Sequence, residues 1–443
     1  MTSRRASRAS AEPGPRALAA VPYPQSFRAL NSANYRRYYV GQAVSMIGTW
    51  LQSVALMWLA YRLTGSAGFT GLVGFLNSAP YLFVTPFAGV LGDRLDRRRI
   101  LMTVLALLFL QSVVLATLTG LGLITPFWLG TLALFAGLAN AFETPTRQSF
   151  YVQLIEDRDD LPNAIALNSI LMNGARLVGP SLGGLVIAAT NETVCFALNA
   201  LSFLFVLGAL RRIRPTKPPV ARQSKHLLQD LAEGWRYAMG FVPVRRLLLM
   251  LAAVSITVGP YSSLMPAIAV KTFGDGAELV GFFIGCVGFG AVIAAAGMAR
   301  RGSVRGLAKW IPASALIAGS GAIGVCFSRS IPLTAAFFTL CGFGMFMTAV
   351  CANTMIQSIV DDDKRGRVMS YFAMFFIGSL PIGHLAGGYL ADAIGAPRAF
   401  LVGGSLCALA GLVFAARMKS FREPLREAYI RRGVMPASEA KNQ

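Results

Sequence analysis

Charge is what this sequence has least of. Of its 443 residues only 14% are Asp, Glu, Lys or Arg, where a soluble domain carries about 25%. Acids number 20, and none falls near the centre of an apolar run. The two histidines, His226 and His384, lie in different regions and build no catalytic or metal cluster. Six cysteines include no C-x-x-C pair, which sets aside a disulfide framework and a metal site. No Gly-x-x-x-x-Gly-Lys-Ser/Thr loop is present, so an ATP-driven pump would lack its phosphate cradle. No hydrophilic stretch exceeds about 40 residues, short of the roughly 50 that a separate catalytic or sensory domain needs. A polytopic membrane enzyme and a receptor are therefore weak alternatives, and no cofactor is expected.

What the chain has instead is apolar length. It is 55% hydrophobic with a mean hydropathy of +0.56, and runs of the roughly 20 residues that cross a bilayer recur throughout. Twelve spans are expected, at Tyr38–Leu59, Gly68–Leu91, Ile100–Ile124, Phe127–Phe150, Ala164–Thr190, Val194–Leu210, Leu247–Val270, Leu279–Ala299, Trp310–Phe327, Ile331–Ile359, Val368–Leu390 and Ala399–Ala416. The net charge of +21 suggests nucleic acid until its distribution is seen. Of 41 Lys and Arg, 36 fall in the two tails, the central linker and the even-to-odd loops. Four (Arg62, Lys271, Arg329, Arg398) fall opposite, and Arg176 lies within a span. This asymmetry is the positive-inside rule. It predicts a multi-pass protein of the cytoplasmic (inner) membrane with both termini cytoplasmic, attracted to anionic inner-leaflet lipids and not to nucleic acid.

The fold class expected is an all-α polytopic membrane protein of twelve transmembrane helices in two pseudo-symmetric six-helix bundles. Residues 1–33 read as a basic disordered cytoplasmic tail and 34–212 as the first bundle. Residues 213–245 read as a linker, 246–418 as the second bundle and 419–443 as a cytoplasmic tail. In the linker Leu227, Leu228, Leu231, Trp235 and Ala238 share one helical face, which predicts an amphipathic helix on the membrane surface. The halves echo each other: Gly179-Pro-Ser-Leu-Gly-Gly184 lines up with Gly383-His-Leu-Ala-Gly-Gly388, offset by 204 residues. At the same offset Gln153, Ile155, Asp157 and Asp159 meet Gln357, Ile359, Asp361 and Asp363. A parallel repeat with a site between its halves is a transporter architecture.

The loop Gly89-Val-Leu-Gly-Asp-Arg-Leu-Asp-Arg-Arg98 follows the second span. With the six-plus-six division it resembles the G-x-x-x-D-R-x-x-R-R signature of the major facilitator superfamily, with Gly89, Asp93, Arg94, Arg97 and Arg98 in every defined place. Glu143-Thr-Pro-Thr-Arg-Gln148, Leu161-Pro-Asn-Ala-Ile-Ala-Leu-Asn168, Arg176-Leu-Val-Gly-Pro-Ser-Leu-Gly-Gly184 and Arg365-Gly-Arg-Val-Met-Ser370 are similar to its bacterial secretion-effector and enterobactin-exporter-like branch. The resemblance, over roughly Phe27 to Met418, implies an alternating-access carrier that exports siderophores, drugs or other amphiphiles, often against protons. Two departures stand out. Phe127–Asn140 lacks the arginine that the superfamily places in its fourth span, and Ala299–Gly306, the matching loop of the second half, lacks the aspartate.

A topology anchor needs only the arginines, so Gly89 and Asp93 point to gating. Gly89 lets helices approach. Asp93 is expected to cap the eleventh span near Gly366–Met369, and Arg94 or Arg97 to pair with Glu143, beside Arg147. Gly179, Pro180, Gly183 and Gly184, with Gly383, Gly387 and Gly388, read as kink and packing positions. Arg176, halfway along its span, where a charge costs at least about 2.5 kcal/mol, either lines a cavity for an anionic substrate or bonds carbonyls, Asn168 or Asn173. His384 is either a buried neutral residue or, with Glu143, a proton-coupling group. Trp50, Gln52, Met57, Trp58, Asn77, Tyr81, Tyr261, Met265, Met345, Phe346 and Asn353 have the depth of a central cavity. A small-molecule substrate, protons and a monomer are the partners and state expected. An importer or lysophospholipid flippase of the same fold is the alternative within transport.

Overall fold

The computed structural model describes residues 24–155, 157–213, 227–274, 276–301 and 303–432. The first six helices are α1 (Ala33–Thr64), α2 (Ala67–Arg94), α3 (Arg97–Gly120), α4 (Pro126–Gln153), α5 (Leu161–Ala189) and α6 (Glu192–Arg212). After the linker helix α7 (Leu227–Gly240) come α8 (Val242–Thr257), α9 (Tyr261–Ile268), α10 (Ala277–Ala299), α11 (Leu307–Phe327) and α12 (Ile331–Ile359). The chain then forms α13 (Asp362–Phe376), α14 (Leu380–Ile394), α15 (Ala396–Ala416) and α16 (Met418–Arg431).

Eleven of these stretches are long and apolar enough to cross a membrane. The twelfth is α4, 28 residues long, whose hydropathy is lowered by Asn140, Glu143, Arg147 and Gln148. Two spans are broken, each at a proline that cannot donate to the preceding turn. The seventh divides into α8 and α9 at Gly259-Pro260, and the eleventh into α13 and α14 just before Pro381. Tight connections use glycine where the backbone turns left-handed: Gly65, at φ 63°, ends α1 and donates to the Tyr61 carbonyl at 2.7 Å.

The internal repeat is visible as geometry. A Cβ at Gly184 of α5 would lie 2.8 Å from the Ala277 carbonyl oxygen and 3.0 Å from the Gly281 Cα of α10. A Cβ at Gly388 of α14 would lie 2.7 Å from the Ala67 carbonyl oxygen and 2.9 Å from the Gly71 Cα of α2. The same small-residue packing therefore joins α5 to α10 and α14 to α2, each helix of one half crossing to the other half.

We call the face that carries both chain tails and the linker the basic face. Its ordered part is larger than the sequence suggests. Of the stretch 1–33 expected as a tail, residues 1–23 lie outside the described residues, while Gln25–Asn31 form a 3-10 helix docked on α5. There the Asn163 side chain accepts from the Ala29 N–H at 3.0 Å, and Arg28 pairs with Asp160 at 2.9 Å. At the other end α16 buries Phe421, Leu425, Ala428 and Tyr429, a helical stripe. In the linker, Trp235 of α7 packs its ring on Tyr371 and Phe375 of α13, and Glu233 pairs with Arg367 at 2.7 Å. Leu227, Leu228 and Leu231 lie outside the residues whose side chains are described.

Candidate functional site: a mid-span arginine beneath a closed glycine seam

Among the described residues two glycine seams join the halves, both toward the face opposite the basic one. Along α2 against α14, a Cβ at Gly71 would run into the His384 carbonyl oxygen, and one at Gly74 would lie 2.9 Å from the His384 ring. Along α5 against α10, a Cβ at Gly281 would lie 2.5 Å from the Pro180 carbonyl oxygen, and one at Gly288 2.9 Å from that of Arg176. Pro180 has no N–H for the Arg176 carbonyl, and α5 runs through it unbroken. Among the described residues these close approaches reach Leu82, which meets Gly378, and Arg176, and go no further toward the basic face. Beyond them, among the described residues, nothing lies within 4 Å of a Cβ placed at Gly174 or at Gly366 near the start of α13.

The outer end of the α2–α14 seam is closed by a carboxylate. Asp392, in the last turn of α14, accepts from the Ala67 N–H at 2.8 Å and from the Ser66 hydroxyl. It thus caps the N-terminus of a helix in the other half, where the dipole favours an anion.

Arg176 sits where the α5–α10 seam ends. Its guanidinium lies 4.3 Å from the ring centroid of Phe346 and 5.7 Å from that of Trp50, with Tyr261 in electrostatic reach. These contacts come from α1, α5, α9 and α12, so both halves contribute. Among the described residues it makes no hydrogen bond or ion pair. The Asn168 and Asn173 side chains instead bond Met172 and the Ser169 carbonyl. Arg176, Trp50, Tyr261 and Phe346 are therefore brought together as a cationic, aromatic-walled site at mid-span.

Other candidates lie elsewhere. Gln52 is within the first bundle: its Oε1 accepts from the Ser112 hydroxyl and the Asn199 amide, both at 2.8 Å, and its Nε2 donates to Gln111 at 3.1 Å. Gln111 continues to the Leu132 carbonyl, so the network ties α1, α3, α4 and α6 and commits the Gln52 carbonyl oxygen and one of its N–H groups to the first bundle. Asn77 donates to the Ala133 carbonyl at 3.3 Å, joining α2 to α4, and Asn353 accepts from Gln357 on its own helix. His384 is buried in the α2–α14 seam with Nδ1 3.0 Å from the Ser263 hydroxyl. Gly179 and Gly183 pack on α1, at Trp50 and Leu51, while Gly383 and Gly387 pack on Ile256 and Pro260.

Glu143 pairs with Arg147 at 2.7 Å, one turn along α4 and buried; the expected pairing with Arg97 is not made. An arginine on the same helix needs no ordering of a distant loop. Arg97 reaches the Ser149 carbonyl at 3.5 Å, and Arg98 the Leu210 and Arg211 carbonyls at 2.8 and 3.0 Å, securing α6 to α3. Gly89, Asp93 and Arg94 lie outside the residues whose side chains are described. Sequence reasoning missed Asp392 and the crossing glycines Gly71, Gly74, Gly281 and Gly288. The Gly68-x-x-Gly71-x-x-Gly74 spacing was their legible signal.

Comparison with known proteins agrees with this architecture. The family model for transmembrane secretion effectors matches residues 25–436. The staphyloferrin A transporter of Staphylococcus aureus is 24% identical over 88% of this chain and 98% of its own. The multidrug efflux pump Tap of Mycolicibacterium fortuitum is 26% identical over 80% of this chain and 88% of its own. A crystal structure of a bacterial homologue of the human lysosomal transporter Spinster, inward-facing and unoccupied, superposes with a TM-score of 0.64 at 16% identity, covering 92% of this chain and 99% of that one. The chain belongs to the transmembrane secretion effector family of the major facilitator superfamily, and it is a multi-pass secondary transporter that exports small molecules, not an enzyme.

Proposed function

We propose that the basic face is cytoplasmic and that the protein exports amphipathic anions across the cytoplasmic membrane, loading them at Arg176. One observation carries this reading: an arginine near the middle of a 29-residue span, stacked on Phe346 and Trp50, with no anion among the described residues to answer its charge. Keeping a charge there is costly, and a substrate carboxylate or phosphate would supply the missing partner. The aromatic walls suit the apolar body of the same molecule. The charge asymmetry of the loops supports the orientation, and the seams closed opposite the basic face support a state that loads from the cytoplasm. The relatives named for staphyloferrin A and multidrug efflux support small organic substrates. One chain is the transport unit, since both halves of the site come from it. Proton coupling is assigned to Glu143, the acid buried within a span and held by Arg147.

The test is efflux from proteoliposomes of three amphiphilic dyes of similar size, one anionic, one neutral and one cationic. Losing a charge-assisted bond of about 1.5–3 kcal/mol, Arg176→Gln lowers kcat/KM for the anionic dye roughly 10- to 100-fold and leaves the neutral dye nearly unchanged. Equal losses for all three dyes would make Arg176 structural, and no loss would end the reading.

A further inference from the structure

On the outside of the first bundle, α1 and α6 flank a groove of about 560 Å³ at the basic face. The two helices touch at Gly41, where a Cβ would lie 3.1 Å from the Val206 Cα and 3.2 Å from the Ala209 Cβ; at Gly208, on a neighbouring face of α6, a Cβ would meet nothing within 4 Å. The mouth is lined by Arg36 and Arg37, in the first turn of α1, and by Arg212, the last residue of α6. The floor is Val40, Val44, Leu204 and Phe205, with Val40 59% and Phe205 55% exposed.

No acid lines this groove. Arg36 donates to the Leu30 carbonyl at 3.3 Å, while Arg37 and Arg212 donate to no acceptor among the described residues. Three arginines at the basic end of the groove, above an apolar trough running about 10 Å into the span, present the two chemistries of a phospholipid in its own order. We propose that this groove holds one anionic glycerophospholipid. Its phosphate lies against Arg37, Arg212 and Arg36, and an acyl chain lies along Val40, Val44, Leu204 and Phe205. Gly208 is the position that leaves room for that chain. General attraction of basic loops to an anionic surface needs the charges alone; this site needs the trough as well. The inference is independent of the substrate assigned to Arg176 and of which leaflet the basic face occupies.

The experiment is native mass spectrometry of full-length protein released from nanodiscs of phosphatidylglycerol and phosphatidylcholine in equal parts. Wild type retains one phosphatidylglycerol in preference to phosphatidylcholine. Arg37→Gln with Arg212→Gln lowers that preference by about fivefold for each arginine removed. Gly208→Leu keeps every charge, fills the trough and has space to fold, and it loses the retained lipid. Arg300→Gln with Lys309→Gln removes the same charge elsewhere on the basic face and retains the lipid as wild type does. Retention by Gly208→Leu equal to wild type, or an equal loss in the Arg300 and Lys309 variant, overturns the proposal.

Discussion

The seam between α5 and α10 can be opened by one methyl group. A Cβ at Gly281 would lie 2.5 Å from the Pro180 carbonyl oxygen, 2.7 Å from the Gly184 Cα and 2.8 Å from the Gly184 nitrogen. All three are backbone atoms, so no side chain can swing aside; one helix must move. Overpacking of this kind costs about 1–3 kcal/mol, charged only to the state in which the seam is closed. Gly281→Ala therefore shifts the population toward opening at the face opposite the basic one by roughly 5- to 150-fold. Helix propensity works the other way, since Ala favours a helix over Gly by about 1 kcal/mol, so a general loss of folding does not account for the shift. Gly174→Ala is the matched control on α5, with nothing within 4 Å of the added carbon. Spin labels at Thr190 and Ser330, which flank that face in the two halves, report the separation by double electron–electron resonance. Gly281→Ala should lengthen the mean distance, and Gly174→Ala should not. A wild-type distribution in folded Gly281→Ala, or the same change in both variants, would refute the reasoning.

Gln52→Leu leaves Ser112, Asn199 and Gln111 short of a partner, costing about 1–3 kcal/mol for each buried group left unpaired. Thermal unfolding in detergent should fall while the order of dye preference stays fixed; altered preference with unaltered melting would return Gln52 to the cavity. Glu143→Gln alone strands the buried Arg147, a loss of about 3–5 kcal/mol that Glu143→Gln with Arg147→Gln should largely recover. That double variant should keep downhill dye flux and lose accumulation driven by a pH gradient, and intact pH-driven accumulation would remove Glu143 from coupling.

Depth was legible in the sequence and direction was not. Hydropathy and loop charge place a residue along the membrane normal, which is why Arg176 and Trp50 could be singled out at mid-span. They say little about which way a helix turns that residue, because lipid and bundle core are both apolar and no polar stripe marks the outside. Gln52 and Trp50 have the same depth on α1, yet one faces the core of its own bundle and the other faces the cleft. The repeat carried more than its glycines: Gly184 and Gly388 match in sequence, but their partners Gly281 and Gly71 belong to the other half, and nothing in a shared offset pairs them. Glu143 went to Arg147 because a partner one turn away comes at little entropic cost.

Asp392 changes what Asp93 should do. The sequence suggested that Asp93, near the C-terminal end of α2, caps the eleventh span at the basic face. The structure has the counterpart at the other face, where Asp392 in the last turn of α14 caps α2 through Ala67 and Ser66. Each helix would then offer a carboxylate to the N-terminus of the other span, one at each end of the same seam. Replacing a capping carboxylate by an amide removes about 1–2 kcal/mol, which is roughly a 5- to 30-fold change in the population of the state it holds. Asp392→Asn should therefore favour opening at the face opposite the basic one, and Asp93→Asn opening at the basic face. The double variant should return near the wild-type balance with faster exchange. Labelling of single cysteines at either face measures the sign directly. Shifts in the same direction from the two substitutions would mean that Asp93 is no latch and that the seam is governed from one end.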